Sequence, residues 1–263
     1  GIFNKQLKKN INIKKILKFF NKNKFSKIDI SPHYFNLKKN EKIFKDFKII
    51  YKILLKKNLT IPELNNEIKF SKNFMKRNEI YCLMFHNTEI IKDKKKITHV
   101  INYVKEKLKI KKIGISVYSP NEVRRVMKFF KPDLIQFPIN VFDQTFLKKN
   151  FLFRLRKKGI ELHARSIFLQ GLLLQREYPS FLHKDLKKHW QIWNNWLNEN
   201  NISPLGACIS FINKIKHLDG VIIGIETLKQ LNLILNLKVK KLNFDKLAIK
   251  KKKIIYPQNW LQK

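Results

Sequence analysis

Four side chains able to give, take or stabilise a proton fall at the ends of three consecutive apolar segments early in the chain. Asp29 lies near the end of "KIDIS" with Tyr34 beyond it in "SPHYFN", Lys52 closes "KIIYK", and His86 closes "YCLMFH". Together they supply a carboxylate, a phenol, an ammonium and an imidazole. Each also has an ordinary use: Asp29 as a loop cap, Tyr34 as packing, Lys52 as one more lysine among many, His86 as a satisfied core histidine. Which use applies depends on whether one fold gathers the segment ends.

Strand-like and helix-like segments alternate almost to the end of the chain. Short apolar runs near residues 27, 47, 80, 112, 133, 160 and 220 read as strands. Helices are expected at "NIKKILKFFNKN", within "TIPELNNEIKFSKNFMKRN", and at "ITHVINYVKEKLK", "SPNEVRRVMKFF", "TFLKKNFLFRLRKKG", "SPLGACISFINKI" and "TLKQLNLILNL". Such alternation means a parallel sheet covered by helices. A chain of 263 residues suits one (β/α)8 TIM barrel, in which chemistry sits at the C-terminal strand ends, where the four residues fall. The eighth strand would be the first and would precede Gly1, so the barrel reads as N-terminally truncated. No linker or composition shift divides residues 1–263, which read as a single domain. Only "QREYPSFLHKDLKKHWQIWNNWLNEN" looks inserted, and its Trp190, Trp193 and Trp196 at helical spacing predict a packing face.

Hydrophobic residues at 44% and aromatics at 12% exclude a disordered chain despite a formal net charge of +38. The lysines are scattered through nearly every segment and travel with Asn, Ile and Phe, which predicts a solvated basic surface rather than a specific nucleic-acid site. Cys82 and Cys208 lie far apart in apolar surroundings, so two free thiols in a reducing, cytoplasmic compartment are expected. The start carries no signal-like apolar region, and no apolar run reaches the roughly 18 residues of a membrane span. No metal site is expected. His183 and His189 do not share a helical face, and His33, His99, His163 and His217 find no Cys or carboxylate at ligand spacing.

The order Asp29, Tyr34, Lys52, His86 resembles the catalytic tetrad of the aldo/keto reductases, particularly bacterial members with an "RSxFLQGLLL" block. The resemblance extends through "IGISVYSPNEV", "DLIQFPINVFD", "GIELHARSIFLQGLLL", "ISPLGACISFI" and "GVIIGIETLKQLNLIL", essentially the whole chain. It implies reduction of an aldehyde or ketone by hydride from NADPH, or NADH, with Tyr34 as general acid. Lys52 would stabilise the tyrosinate, Asp29 would hold Lys52 charged and oriented, and His86 would donate to the carbonyl oxygen.

The same matching implies cofactor contacts from Ser116 and Gln136 to the nicotinamide carboxamide and from Ser166, Phe168 and Gln170 beside the pyrophosphate. Gly224, Glu226, Thr227 and Gln230 would lie along the adenosine phosphate at a helix N-terminus. The chain departs from the family at Phe35, Val117 and Arg165 and in "LNLIL", which bears on cofactor affinity and choice. A small-molecule carbonyl is the expected partner, a sugar or nucleotide-sugar ketone by analogy with the bacterial relatives. A catalytically idle barrel acting as a binding or regulatory module is the alternative.

Overall fold

The computed structural model describes residues 13–23, 25–31, 47–54, 60–75, 79–88, 91, 93–180, 182, 184–225, 227–257 and 260. Its described residues divide into two compact units. One lies within Asn12–Phe137 and Arg154–His163, the other within Pro138–Phe153 and Ala164–Lys263. The division runs through two of the strands.

Strands β1 (Lys27–Ile30), β2 (Lys48–Ile53), β3 (Cys82–Phe85), β4 (Lys112–Ser116), β5 (Leu134–Pro138), β6 (Glu161–Arg165) and β7 (Gly220–Val221) form one sheet in chain order. Each coincides with one of the seven expected apolar runs. Pairing is parallel from β1 to β5, with Asp29 opposite Ile50, Ile50 opposite Cys82, Met84 opposite Gly114 and Ser116 opposite Gln136. This is the α/β arrangement the alternation predicts. An eighth strand is not among the described residues.

Among the described residues one helix precedes β1 and the others come after β2 onward: α1 (Ile13–Lys22), α2 (Ile61–Met75), α3 (Lys94–Asn102), α4 (Pro120–Val126), α5 (Phe151–Lys157), α6 (Lys184–Glu199), α7 (Pro204–Lys214), α8 (Leu228–Leu235) and α9 (Lys252–Ile255). Their starts are written in the sequence. Ser119 caps α4 and Ser203 caps α7, each followed by Pro at the first turn, and Thr227 with Gln230 forms a capping box on α8. Among the described residues no helix is long and apolar enough to cross a membrane.

Two helices differ from expectation. The run 145–159 is not continuous: Lys148 turns extended (ψ 142°) and Lys149 enters the left-handed region (φ 55°), so a 3-10 turn, Thr145–Asn150, precedes α5. After α3 the chain loosens into a π-helical turn, Tyr103–Lys107. The inserted segment forms α6, where Trp193 is buried, stacks on Trp196 with ring centroids 5.7 Å apart and donates from its indole to Leu173 O at 3.2 Å. Trp196 in turn packs on Phe244 at 5.0 Å, so the stripe is a packing face.

Because side chains alternate along a strand, one face of the first unit's sheet carries Ile50, Cys82, Met84 and Leu134 as a buried apolar layer. Gly114 sits against this layer because a Cβ there would lie 2.7 Å from Met84 Cε and 3.0 Å from Leu134 O. Polar groups flank the layer toward both strand ends.

Candidate active site

Parallel register brings the predicted carboxylate and ammonium together. Asp29 stands opposite Ile50, and Lys52, two residues further along β2, shares that face, so the two meet diagonally across neighbouring strands. Lys52 Nζ lies 3.3 Å from Asp29 Oδ1, with the side chains 5% and 9% exposed. A charge so deeply placed is tolerated only with a partner.

Asp29 has a second partner. Gln136, fully buried on β5, donates from Nε2 to Asp29 Oδ2 at 2.6 Å, while its Oε1 is buried with no partner among the described residues. Ser116, opposite Gln136 in the register and also buried, adds a hydroxyl. His86 follows β3, half-buried, its backbone N–H donating to Ile53 O at 2.8 Å in continuation of the ladder. Of the predicted tetrad, the structure joins Asp29 and Lys52 and sets His86 one residue past β3. Tyr34 and the neighbouring departure Phe35 lie outside the described residues.

In the second unit, Ser166, Phe168 and Gln170 occupy the turn after β6. Ser166 (φ 57°), Leu169 (φ 47°) and Gln170 (φ 57°) all hold left-handed backbone, which non-glycine residues enter only when surrounding structure compels it. Asn140 Nδ2 donates to Ser166 O at 3.2 Å, and Gly171 N donates to Phe168 O at 2.9 Å. Gly224 is exposed, with nothing within 4 Å of where a Cβ would stand. Thr227 Oγ1 accepts from Gln230 N at 3.2 Å, and Gln230 Oε1 accepts from Thr227 N at 3.4 Å, so both side chains cap α8. Glu226 lies outside the described residues.

Gln136 and Ser116 have the chemistry that a nicotinamide would need. Its carboxamide both donates and accepts, and Gln136 Oε1 is a buried acceptor with no partner among the described residues, on the residue opposite the buried Ser116 in the strand register.

Sequence reasoning missed a second polar cluster, at the N-terminal strand ends of the same unit. Glu161, the first residue of β6, pairs through Oε1 with Lys27 and with His163 Nε2 at 2.8 Å. Its Oε2 accepts from Tyr81 OH at 2.6 Å and from Lys112 Nζ at 2.8 Å. Burial alone would raise the Glu161 carboxyl, but these four donors outweigh it and hold the group well below the ordinary carboxylate range. Burial and the bond to Glu161 raise the Tyr81 phenol, so Tyr81 stays protonated as a donor. His163 therefore does have a carboxylate within reach, contrary to the sequence expectation: Glu161 stands two residues before it, and on a strand that spacing puts both on one face. Charged residues opening β1, β4 and β6 are the signal that could have found the cluster.

The family described as the aldo/keto reductase family matches residues 12–255 by its sequence model. No curated protein matches in sequence. Among solved structures, the chain is similar to the aldo-keto reductase AKR11C1 from Bacillus halodurans in its holo form, with a TM-score of 0.72 at 15% identity, covering 94% of this chain and 89% of that one. It is also similar to the glycerol dehydrogenase AKR11B4 from Gluconobacter oxydans, with a TM-score of 0.65 at 15% identity, covering 93% of this chain and 84% of that one. At such identities the likeness is one of fold. Joined to a family match over nearly the whole described chain, it leads to one conclusion: the chain belongs to the aldo/keto reductase family.

Proposed function

We propose that the chain is an NAD(P)H-dependent reductase of a small-molecule aldehyde or ketone, with Tyr34 as the proton donor. The family makes it an oxidoreductase by class, and the observation that carries the finer reading is the buried Asp29–Lys52 pair. NAD(P)H supplies the hydride when bound. Lys52, held in place by Asp29, sets a positive charge where a tyrosinate must be stabilised, and Tyr34 gives its proton to the developing alkoxide. His86 donates a hydrogen bond to the same oxygen and orients the substrate.

Gln136 and Ser116 would hold the carboxamide, with the unsatisfied Gln136 Oε1 accepting from its N–H. Ser166, Phe168 and Gln170 would line the pyrophosphate, supported by the constrained turn they share. Gly224, Glu226, Thr227 and Gln230 would face the adenosine phosphate. With Thr227 and Gln230 engaged in capping α8, their contribution there comes from the N-terminal turn they stabilise. NADPH is the proposed cofactor and NADH the alternative. A sugar or nucleotide-sugar ketone is the proposed substrate class, by analogy alone.

In this reading residues 1–263 form one domain of the (β/α)8 type, seven strands of which are described. A cytoplasmic location belongs to it as well, supported by the buried free thiols of Cys82 and Cys208. The test is NADPH and NADH consumption over a panel of aldehydes and ketones, sugars included, alongside cofactor titration by fluorescence. Cofactor binding with carbonyl-dependent oxidation supports the reading. Binding of neither nucleotide overturns it.

A further inference from the structure

The side-chain amide of Gln136 has only one workable orientation. Its Nε2 lies 2.6 Å from Asp29 Oδ2, and reversal would press a carbonyl oxygen against a carboxylate oxygen at that distance. Asp29 is thereby held from two sides, by the Lys52 ammonium at 3.3 Å on Oδ1 and by this N–H on Oδ2. Both holding groups are buried, Lys52 at 4% and Gln136 at 0% exposed, so water does not compete for the carboxylate as it would at a surface.

We propose that Gln136 is a positioning residue for the Asp29–Lys52 pair. Its N–H occupies one carboxylate oxygen and so fixes which oxygen faces the lysine and from which direction the ammonium is held. The inference rests on the reductase reading above and gives Gln136 a task beyond cofactor contact. One amide then faces two ways. Nε2 orients the carboxylate, and Oε1, without a partner among the described residues, remains for the nicotinamide carboxamide. The carboxylate that orders the lysine and the group that meets the cofactor are linked through a single rigid side chain on β5. A hydrogen bond to a charged group carries about 10- to 100-fold in an equilibrium or rate.

A double-mutant cycle tests this, using Gln136→Met, which keeps the volume but neither donates nor accepts, Asp29→Asn, and the two combined. Gln136→Asn, which keeps the amide but withdraws it by one methylene, gives the same comparison where the Met variant does not fold. Three quantities are read: single-turnover oxidation of NADPH, KM for the carbonyl, and the NADPH dissociation constant from fluorescence titration. Gln136→Met is expected to slow turnover about 10- to 100-fold with carbonyl KM nearly unchanged, and to lose most of that effect once Asp29 is already Asn. Its effect on the NADPH dissociation constant is expected to be smaller once Asp29 is Asn, because the carboxylate is what keeps Oε1 turned away from Asp29 and open to the cofactor. Rate losses that simply multiply, in an active wild type, would overturn the inference while leaving the reductase reading intact. A wild type with neither NADPH- nor NADH-dependent turnover would overturn that reading and the inference with it.

Discussion

Lys52 Nζ and Asp29 Oδ1 lie 3.3 Å apart on neighbouring parallel strands, with almost no exposure of either side chain. Nothing in a lysine-rich surface calls for this lysine, since the other charged residue of β2, Lys48, is exposed at the strand's first position. The pair is the part of the proposed chemistry that the fold itself builds. Lys52→Met is therefore expected to lower turnover at least about 10²-fold across substrates. Asp29 keeps its bond from Gln136, so the accompanying loss of stability should be about 1–3 kcal/mol. Turnover and a denaturant midpoint measured on both proteins check this. A variant that loses stability but keeps its rate would reduce Lys52 to a structural role.

The Glu161 cluster predicts a dependence of stability on pH. Its folded-state carboxyl lies below the ordinary value, so the charged form contributes stability that is fully present above the unfolded pKa near 4.5 and is lost as pH falls through the depressed folded value. Glu161→Gln should cost about 1–3 kcal/mol at pH 7, allowing for the partly exposed Lys27 and Lys112. The difference between wild type and variant should shrink as the pH is lowered into the acid range. Urea midpoints at a series of pH values measure it, and a difference that grows toward low pH would contradict the sign.

Much of this architecture was legible in the sequence because each element carries its own local signal. The seven strands are short apolar runs, and α4, α7 and α8 announce their starts through Ser119, Ser203 and Thr227. The Asp29–Lys52 pair was implied by the resemblance to the family, and the parallel register of β1 and β2 is what brings it about. What escaped depends on non-local geometry. Glu161 meets Tyr81 across 80 residues of chain and Lys112 across 49, and nothing near Glu161 in sequence announces either. The bond from Gln136 to Asp29 spans 107 residues. The break at Lys148 and Lys149 was equally hidden, because "FLKKNF" offers no Gly or Pro to mark the left-handed turn.

The basic surface makes a separate prediction. The chain carries 57 Lys and Arg against 19 Asp and Glu, spread along its length rather than gathered in one motif. Binding to nucleic acid should therefore weaken steeply with added salt and show no base preference, as expected when scattered lysines release counterions. Band-shift titrations at several salt concentrations with two unrelated sequences measure both. A salt-insensitive and sequence-selective complex would contradict it.

Whether Tyr34 is the proton donor is decided by the rate of NADPH oxidation by wild type and by Tyr34→Phe on the same carbonyl substrates, with NADPH affinity measured in parallel. Removing only the phenolic hydroxyl withdraws the proposed proton donor and leaves the ring and the cofactor contacts untouched. Turnover should fall at least about 10²-fold with the NADPH dissociation constant nearly unchanged. Equal rates in the two proteins would contradict that role for Tyr34.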